Sequence, residues 1–198
     1  GGARSGKSHF AEQQALLIAK KQNKKAIYIA TATATDDEMS ERIYKHQQDR
    51  NELFQLIESP IALSNILANA HSGNVYLLDC LTLWLNNIIF TQQNLQKKKI
   101  EQITEHHLDQ EIELLIQTLN REFSNKESDI IIVSNEIGLG VVPMGESTRL
   151  FVDYCGWLNQ RVAKIAQQVT LLTAGIPLSL KTNHNNNFNY SSCWNYRV

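Results

Sequence analysis

The sequence has no strong charge of one sign, no cysteine framework and no long apolar run. Its 19 basic and 20 acidic residues leave a net charge of −1, which argues against bulk electrostatic binding to nucleic acid or to a membrane surface. The three cysteines, Cys80, Cys155 and Cys193, are scattered and odd in number. That suits a reduced, cytoplasmic protein better than a disulfide scaffold. The most apolar stretch, Val75 to Phe90, is interrupted by Asp79, Asn86 and Asn87 and is too short and too polar to span a bilayer. No N-K-x-D sequence is present, so the guanine-reading motif of regulatory GTPases is missing. No internal repeat is found.

What is present is ordinary in amount. A chain of 198 residues with 42% hydrophobic and 20% charged residues is most simply one globular α/β domain with a substantial core. The informative stretch comes first. Gly1-Gly2-Ala3-Arg4-Ser5-Gly6-Lys7-Ser8 reads G-x-x-x-x-G-K-S, the phosphate-binding loop of P-loop nucleotide enzymes. Glycines let successive backbone N–H groups point inward around a triphosphate. Lys7 is placed to reach the β- and γ-phosphates, and the Ser8 hydroxyl to ligate Mg²⁺. The following helix turns its positive end toward the anion. Such a loop follows a buried strand, so about five or six apolar residues are expected upstream of Gly1; the first strand is missing from this chain.

Downstream, helices and strands alternate. Helical spacing of Phe10, Ala11, Ala15, Leu17 and Ile18 predicts a helix over 9–22. Residues 26–30 read as a buried strand. Thr35-Asp36-Asp37-Glu38 fits a capping box that opens a helix reaching about Arg50. Residues 53–58 suggest a short strand, 60–70 a helix, 75–79 a buried strand and 81–90 a helix. Residues 92–99 read as an exposed, lysine-rich connection. A long amphipathic helix follows from Ile100 to about Phe123. Then come a strand at 129–133, a glycine-bearing loop at 134–143, a helix at 149–167 and a strand at 169–173. Strands alternating with helices imply a mostly parallel sheet with helices on both faces. Residues 182–198 are Asn-rich and aperiodic. They read as a tail, disordered or foreign to the fold, which leaves residues 1–181 as the domain.

Several residues carry candidate chemistry. Asp79 ends a hydrophobic strand, the position of a carboxylate that holds Mg²⁺. Arg42, His46 and Arg50 are spaced i, i+4, i+8 and line one helix face, with Asp49 three residues from His46. Flanking guanidiniums would keep His46 neutral and nucleophilic and could hold phosphate oxygens. Spacing alone favours the plainer reading, a solvated charged face. His106 and His107 lack a zinc spacing and sit among acids on a solvated face. Asn135 and Glu136 follow a strand and share the sheet edge with Asp79; they form a substrate loop or a tight turn.

The combination resembles one family, the bifunctional adenosylcobinamide kinase/adenosylcobinamide-phosphate guanylyltransferases of cobalamin assembly. The matching stretches are GGARSGKS at 1–8, YIATA at 28–32, DDEMSERIYKH at 36–46, LLDCLTLWLNN at 77–87 and SNEIGLGVVP at 134–143. Arg149, Phe151, Asp153, Gly156, Asn159 and Gln160 match the helix that follows. The resemblance covers nearly all of residues 1–181. It implies a RecA-like P-loop NTPase fold, usually assembled as a homotrimer, with a corrinoid substrate; the charge balance and the broken apolar run add the expectation of no nucleic-acid partner and no membrane span. The resemblance implies two reactions. One phosphorylates adenosylcobinamide with ATP or GTP. The other transfers GMP from GTP onto the resulting phosphate. The match to the family's guanylylated histidine is His46. The resemblance also carries nucleotide contacts onto Gly1, Gly2, Ala3, Arg4, Ser5, Gly6, Lys7 and Ser8, onto Ala30, Thr31 and Ala32, onto Gln47, Gln48, Asp49 and Arg50, and onto Glu58 and Asp79. Ser8 and Asp79 are the Mg²⁺ positions. The sequence departs from the family at Asn51, where proline is common, at Val152, which replaces a cation, and in the tail, which has no counterpart. A single-activity small-molecule kinase and a non-catalytic GTP sensor are the competing readings.

Overall fold

Four short apolar segments form the centre of the molecule because each can bury both of its faces. The computed structural model describes residues 1–32, 53–95, 100–124, 127–141 and 143–182. Within them the order is α1 (Lys7–Gln22), β1 (Lys25–Ala30), β2 (Gln55–Glu58), α2 (Leu63–Ala68), β3 (Asn74–Asp79), α3 (Leu81–Leu95), α4 (Ile100–Phe123), β4 (Asp129–Val133), α5 (Glu146–Ile165), β5 (Val169–Thr173) and β6 (Ile176–Lys181). The first four strands make a parallel sheet in the order β2-β1-β3-β4, and β5 and β6 pair separately as an antiparallel hairpin.

Alternation along the strands sorts their side chains between two layers. Ile27, Ile29, Tyr76 and Leu78 pack with Leu63 and Leu67 of α2, Trp84 and Leu85 of α3, Leu115 of α4 and Leu158 of α5. Tyr28, Val75 and Leu77 face the other way, against Ala11, Ala15 and Ala19 of α1. Helices thus cover both faces, the α/β arrangement expected for a P-loop protein. Each fully buried leucine in these layers contributes about 1.5–3 kcal/mol relative to exposure. Among the described residues, no helix is long and apolar enough to cross a membrane.

The differences from the sequence-based expectations have local causes. The buried stripe of α1 is alanine at 11, 15 and 19, while Leu17 is 45% exposed. Small side chains let the helix backbone approach the sheet, and the larger apolar residues fall to its flanks. The helix expected at 60–70 is confined to Leu63–Ala68, because Pro60 and Ile61 offer their carbonyls to Asn87 and Trp84 of α3 instead. Helix α3 runs through Leu95, so Gln92–Leu95 are not an open connection. No glycine or proline stands there to stop the helix. Helix α5 starts earlier, at Glu146, behind Gly145. Strand β6 was not anticipated. Its hairpin turn places Ala174 at φ 52° and Gly175 at φ 77°, the left-handed pair of a two-residue turn. Ala-Gly is a faint signal for that turn beside Asn-Gly. The helix expected over 36–50, with Arg42, His46 and Asp49, lies outside the described residues.

Candidate functional site

Parallel strands that begin together end together. Register pairs Glu58 with Ala30, Ala30 with Asp79, and Asp79 with Val133. The carboxyl ends of all four strands therefore form one row, the edge where open α/β sheets bind ligands. The phosphate loop joins this row beyond β4. The Gly1 nitrogen donates to the Ser134 carbonyl at 3.3 Å, and the Glu136 N–H donates to the Gly1 carbonyl at 3.0 Å. On the other side of Gly1 lies β5. A Cβ added at Gly1 would fall 2.4 Å from the Leu172 carbonyl oxygen, so this close approach requires glycine.

The loop is shaped for an anion. Arg4 is left-handed at φ 54° and Gly6 at φ 89°. Gly6 also stands at the N-terminal end of α1 with no side-chain cap, which leaves the first-turn N–H groups of the helix available to a ligand. The Lys7 ammonium folds back onto the Gly2 carbonyl at 3.1 Å. The turn between β5 and β6 supports the loop from behind, where the Gly175 N–H donates to the Ser5 carbonyl at 3.1 Å. Ser5 itself is buried, and its hydroxyl has no partner among the described residues.

Beside the loop, Asp79 is held in place. The Tyr28 hydroxyl donates to Asp79 Oδ2 at 2.8 Å. Tyr28 is in turn fixed edge-on against Phe54. The next residue, Cys80, is clasped by Thr31: its N–H donates to Thr31 Oγ1 at 2.7 Å, and the same hydroxyl donates to the Cys80 carbonyl at 2.8 Å. Burial, and then the Asp79 charge, pushes the Cys80 thiol up to about 11, while the Lys7 charge opposes them. This thiol is a packing group and not a nucleophile. The loop after β4 is rooted by polar contacts. Thr82 Oγ1 accepts from the Asn135 N–H at 2.8 Å, and Asn159 of α5 bonds both Ser134 Oγ and the Asn135 carbonyl.

The structure brings together Gly1, Gly2, Ala3, Arg4, Ser5, Gly6, Lys7, Ser8, Ala30, Thr31, Ala32, Glu58 and Asp79 along this single edge. Thr31 is fully buried. Its N–H goes to the Asp79 carbonyl and its own carbonyl to Asn87, so its polar groups all face inward. His46, Gln47, Gln48, Asp49 and Arg50 lie outside the described residues. The Ser8 hydroxyl and the Asp79 carboxylate are hard oxygen donors, a set that suits a small divalent cation sharing phosphate oxygens. The roles of Tyr28 and Asn87 escaped the sequence reading, which met them only inside the stretches 28–32 and 77–87. Both left a signal, since a phenol or an amide inside an apolar run must find a hydrogen-bond partner.

Known proteins resemble this chain along nearly its whole length. The model of the family described as cobinamide kinase / cobinamide phosphate guanyltransferase matches residues 1–180. The bifunctional adenosylcobalamin biosynthesis protein CobP of Pseudomonas aeruginosa is 42% identical over 182 residues, 91% of this chain and 94% of that protein. Bifunctional adenosylcobalamin biosynthesis proteins CobU of Escherichia coli and Salmonella typhimurium are 35% and 34% identical, each across 91% of this chain and 97% of their own length.

Proposed function

This chain belongs to the cobinamide kinase / cobinamide phosphate guanyltransferase family, and from that premise we propose how its residues divide two phosphoryl chemistries on one corrinoid. It is an enzyme of adenosylcobalamin biosynthesis with kinase and guanyltransferase activities. The nucleotide triphosphate lies in the Gly1–Ser8 loop, with Lys7 on the β- and γ-phosphates. Ser8 and Asp79 hold Mg²⁺, which when bound neutralises charge on the phosphate oxygens. Ala30 and Ala32 at the end of β1, Glu58 at the end of β2, and Gln47, Gln48, Asp49 and Arg50 meet the guanine nucleotide. Thr31 serves by fixing the backbone of its neighbours.

In the guanylyl transfer, neutral His46 attacks the α-phosphorus of GTP. An N–P bond forms, the bond to the bridging oxygen breaks, and pyrophosphate leaves. A phosphate oxygen of adenosylcobinamide phosphate then attacks the guanylyl phosphorus; a P–O bond forms, the N–P bond breaks, and adenosylcobinamide-GDP leaves the imidazole of His46 restored. In the kinase reaction the corrinoid hydroxyl attacks the γ-phosphorus of ATP or GTP directly, and the nucleoside diphosphate leaves. Residues 1–181 carry both activities, in a cytoplasmic homotrimer.

The observation that carries this reading is the row of strand ends that sets Asp79 beside the phosphate loop, in a sequence that also contains R-I-x-x-H. The test is incubation with α-³²P-GTP. The protein is expected to retain label through an acid-labile, base-stable bond. His46→Ala is expected to lose that label and keep kinase activity. Label that persists in His46→Ala would refute the assignment.

A further inference from the structure

Asn87 of α3 spends both of its amide hydrogens on two different chain segments. Nδ2 donates to the Thr31 carbonyl at 2.8 Å and to the Pro60 carbonyl at 3.0 Å. These carbonyls lie just beyond the last residues of β1 and β2, Ala30 and Glu58, which are register partners. Past that pair, one backbone contact still joins the two segments, Ser59 N–H to the Ala30 carbonyl at 2.8 Å. One residue further along each segment, the Asn87 amide joins them again through the Thr31 and Pro60 carbonyls.

One helical turn earlier, Trp84 donates from Nε1 to the Ile61 carbonyl at 2.8 Å. Trp84 is fully buried, whereas Asn87 is half-buried at the edge. The i, i+3 spacing puts both donors on one face of α3. The tryptophan fixes the segment within the core, and the asparagine sets its outer lip. Thr31 passes the constraint onward, because its hydroxyl bonds both backbone polar groups of Cys80, next to Asp79.

We propose that Asn87 is a positioning residue for the nucleoside end of the bound nucleotide, holding the ends of β1 and β2 at a fixed separation. It touches no reacting atom. The inference rests on the reading above, in which Ala30, Ala32 and Glu58 meet the nucleoside while the Gly1–Ser8 loop meets the phosphates. Its consequence is selective. A loosened lip weakens the grip on base and ribose and leaves the phosphate loop, rooted separately at Ser134, Glu136 and Gly175, as it was.

The test compares GTP with inorganic tripolyphosphate, which presents the phosphates alone. Dissociation constants are measured by calorimetry on the whole chain, with kcat determined at saturating GTP. Asn87→Asp keeps the shape but turns acceptors toward two carbonyl oxygens. It is expected to weaken GTP binding about tenfold, the scale of a lost pair of hydrogen bonds. Tripolyphosphate affinity is expected to stay within about twofold and kcat within about threefold. Should Asn87→Asp fail to fold, Asn87→Ser, too short to span both carbonyls, is expected to show the same split. Equal weakening of both ligands, or of neither, overturns the inference while leaving the two-reaction reading intact. A wild-type protein that binds GTP no more tightly than tripolyphosphate overturns the nucleoside wall and the role of Asn87 together.

Discussion

The two flanks of the phosphate loop are built differently. On the β1–β3 flank, Tyr28 is 2% exposed and Thr31 is fully buried, and their hydroxyls bond Asp79 and Cys80. On the β4 flank, the loop is tied at its root by Thr82 and Asn159 and then projects into solvent. Leu139 is 82% exposed there, and Val141 and Met144 are each 96% exposed. The contrast shows where placement is paid for in structure. Buried polar groups must be satisfied, and once satisfied they hold one geometry. An exposed loop with few partners has no such constraint.

Four substitutions or titrations bear on this comparison. Trp84→Ala removes a fully buried ring and the donor to the Ile61 carbonyl. It is expected to cost about 3–5 kcal/mol in a urea denaturation series, the largest effect, because the clasped flank rests on that ring. Tyr28→Phe deletes the hydrogen bond to Asp79 Oδ2. Bonds to a charged group are worth about 1.5–3 kcal/mol; with Mg²⁺ on Asp79 as proposed, both reactions are expected to need about tenfold more Mg²⁺ for half-maximal rate. An unchanged Mg²⁺ titration would overturn either the proposed Mg²⁺ role of Asp79 or the part of Tyr28 in holding it.

Cys155 of α5 gives a pH readout. Burial above all, then the nearby Cys80 and Glu136, pushes its thiol from 9.0 up to about 12. A folded-state value above the unfolded one means that the unfolded chain loses the proton first. The stability this thiol provides is therefore whole below about pH 9 and is lost as pH rises toward about 12. Cys155→Ala is expected to flatten that alkaline decline in thermal midpoint. Val141→Ser, on the open flank, is expected to change stability by no more than about 0.5 kcal/mol. A larger loss would mean that the exposed loop is as constrained as its counterpart.

Much of this was legible in the chain. The strands at 26–30, 75–79, 129–133 and 169–173 are recovered within a residue, because continuous apolar runs bounded by polar turns have few other fates. Asp79 was recognisable from its place at the end of such a run. Strand β6 was not, since its turn relies on Ala174 in a left-handed conformation, and its pattern is apolar on a face left exposed. Asn87 was read as an interruption of an apolar stretch and as the last residue of the family-like run at 77–87, with no role of its own. Its importance comes from two carbonyls that no local pattern points to.

The sequence by itself determined the phosphate loop and the family. Eight consecutive residues suffice to curl a backbone around an anion, because the geometry is local to glycine and a helix start. Only the tertiary structure decided what surrounds the loop. Tyr28 reaches Asp79 across 51 positions, Asn87 reaches Thr31 across 56, and Gly175 supports Ser5 from the far end of the chain. Those partners meet because parallel strands in register bring their ends to one edge, and a hydrogen bond forms only between groups that packing has already brought within 3 Å.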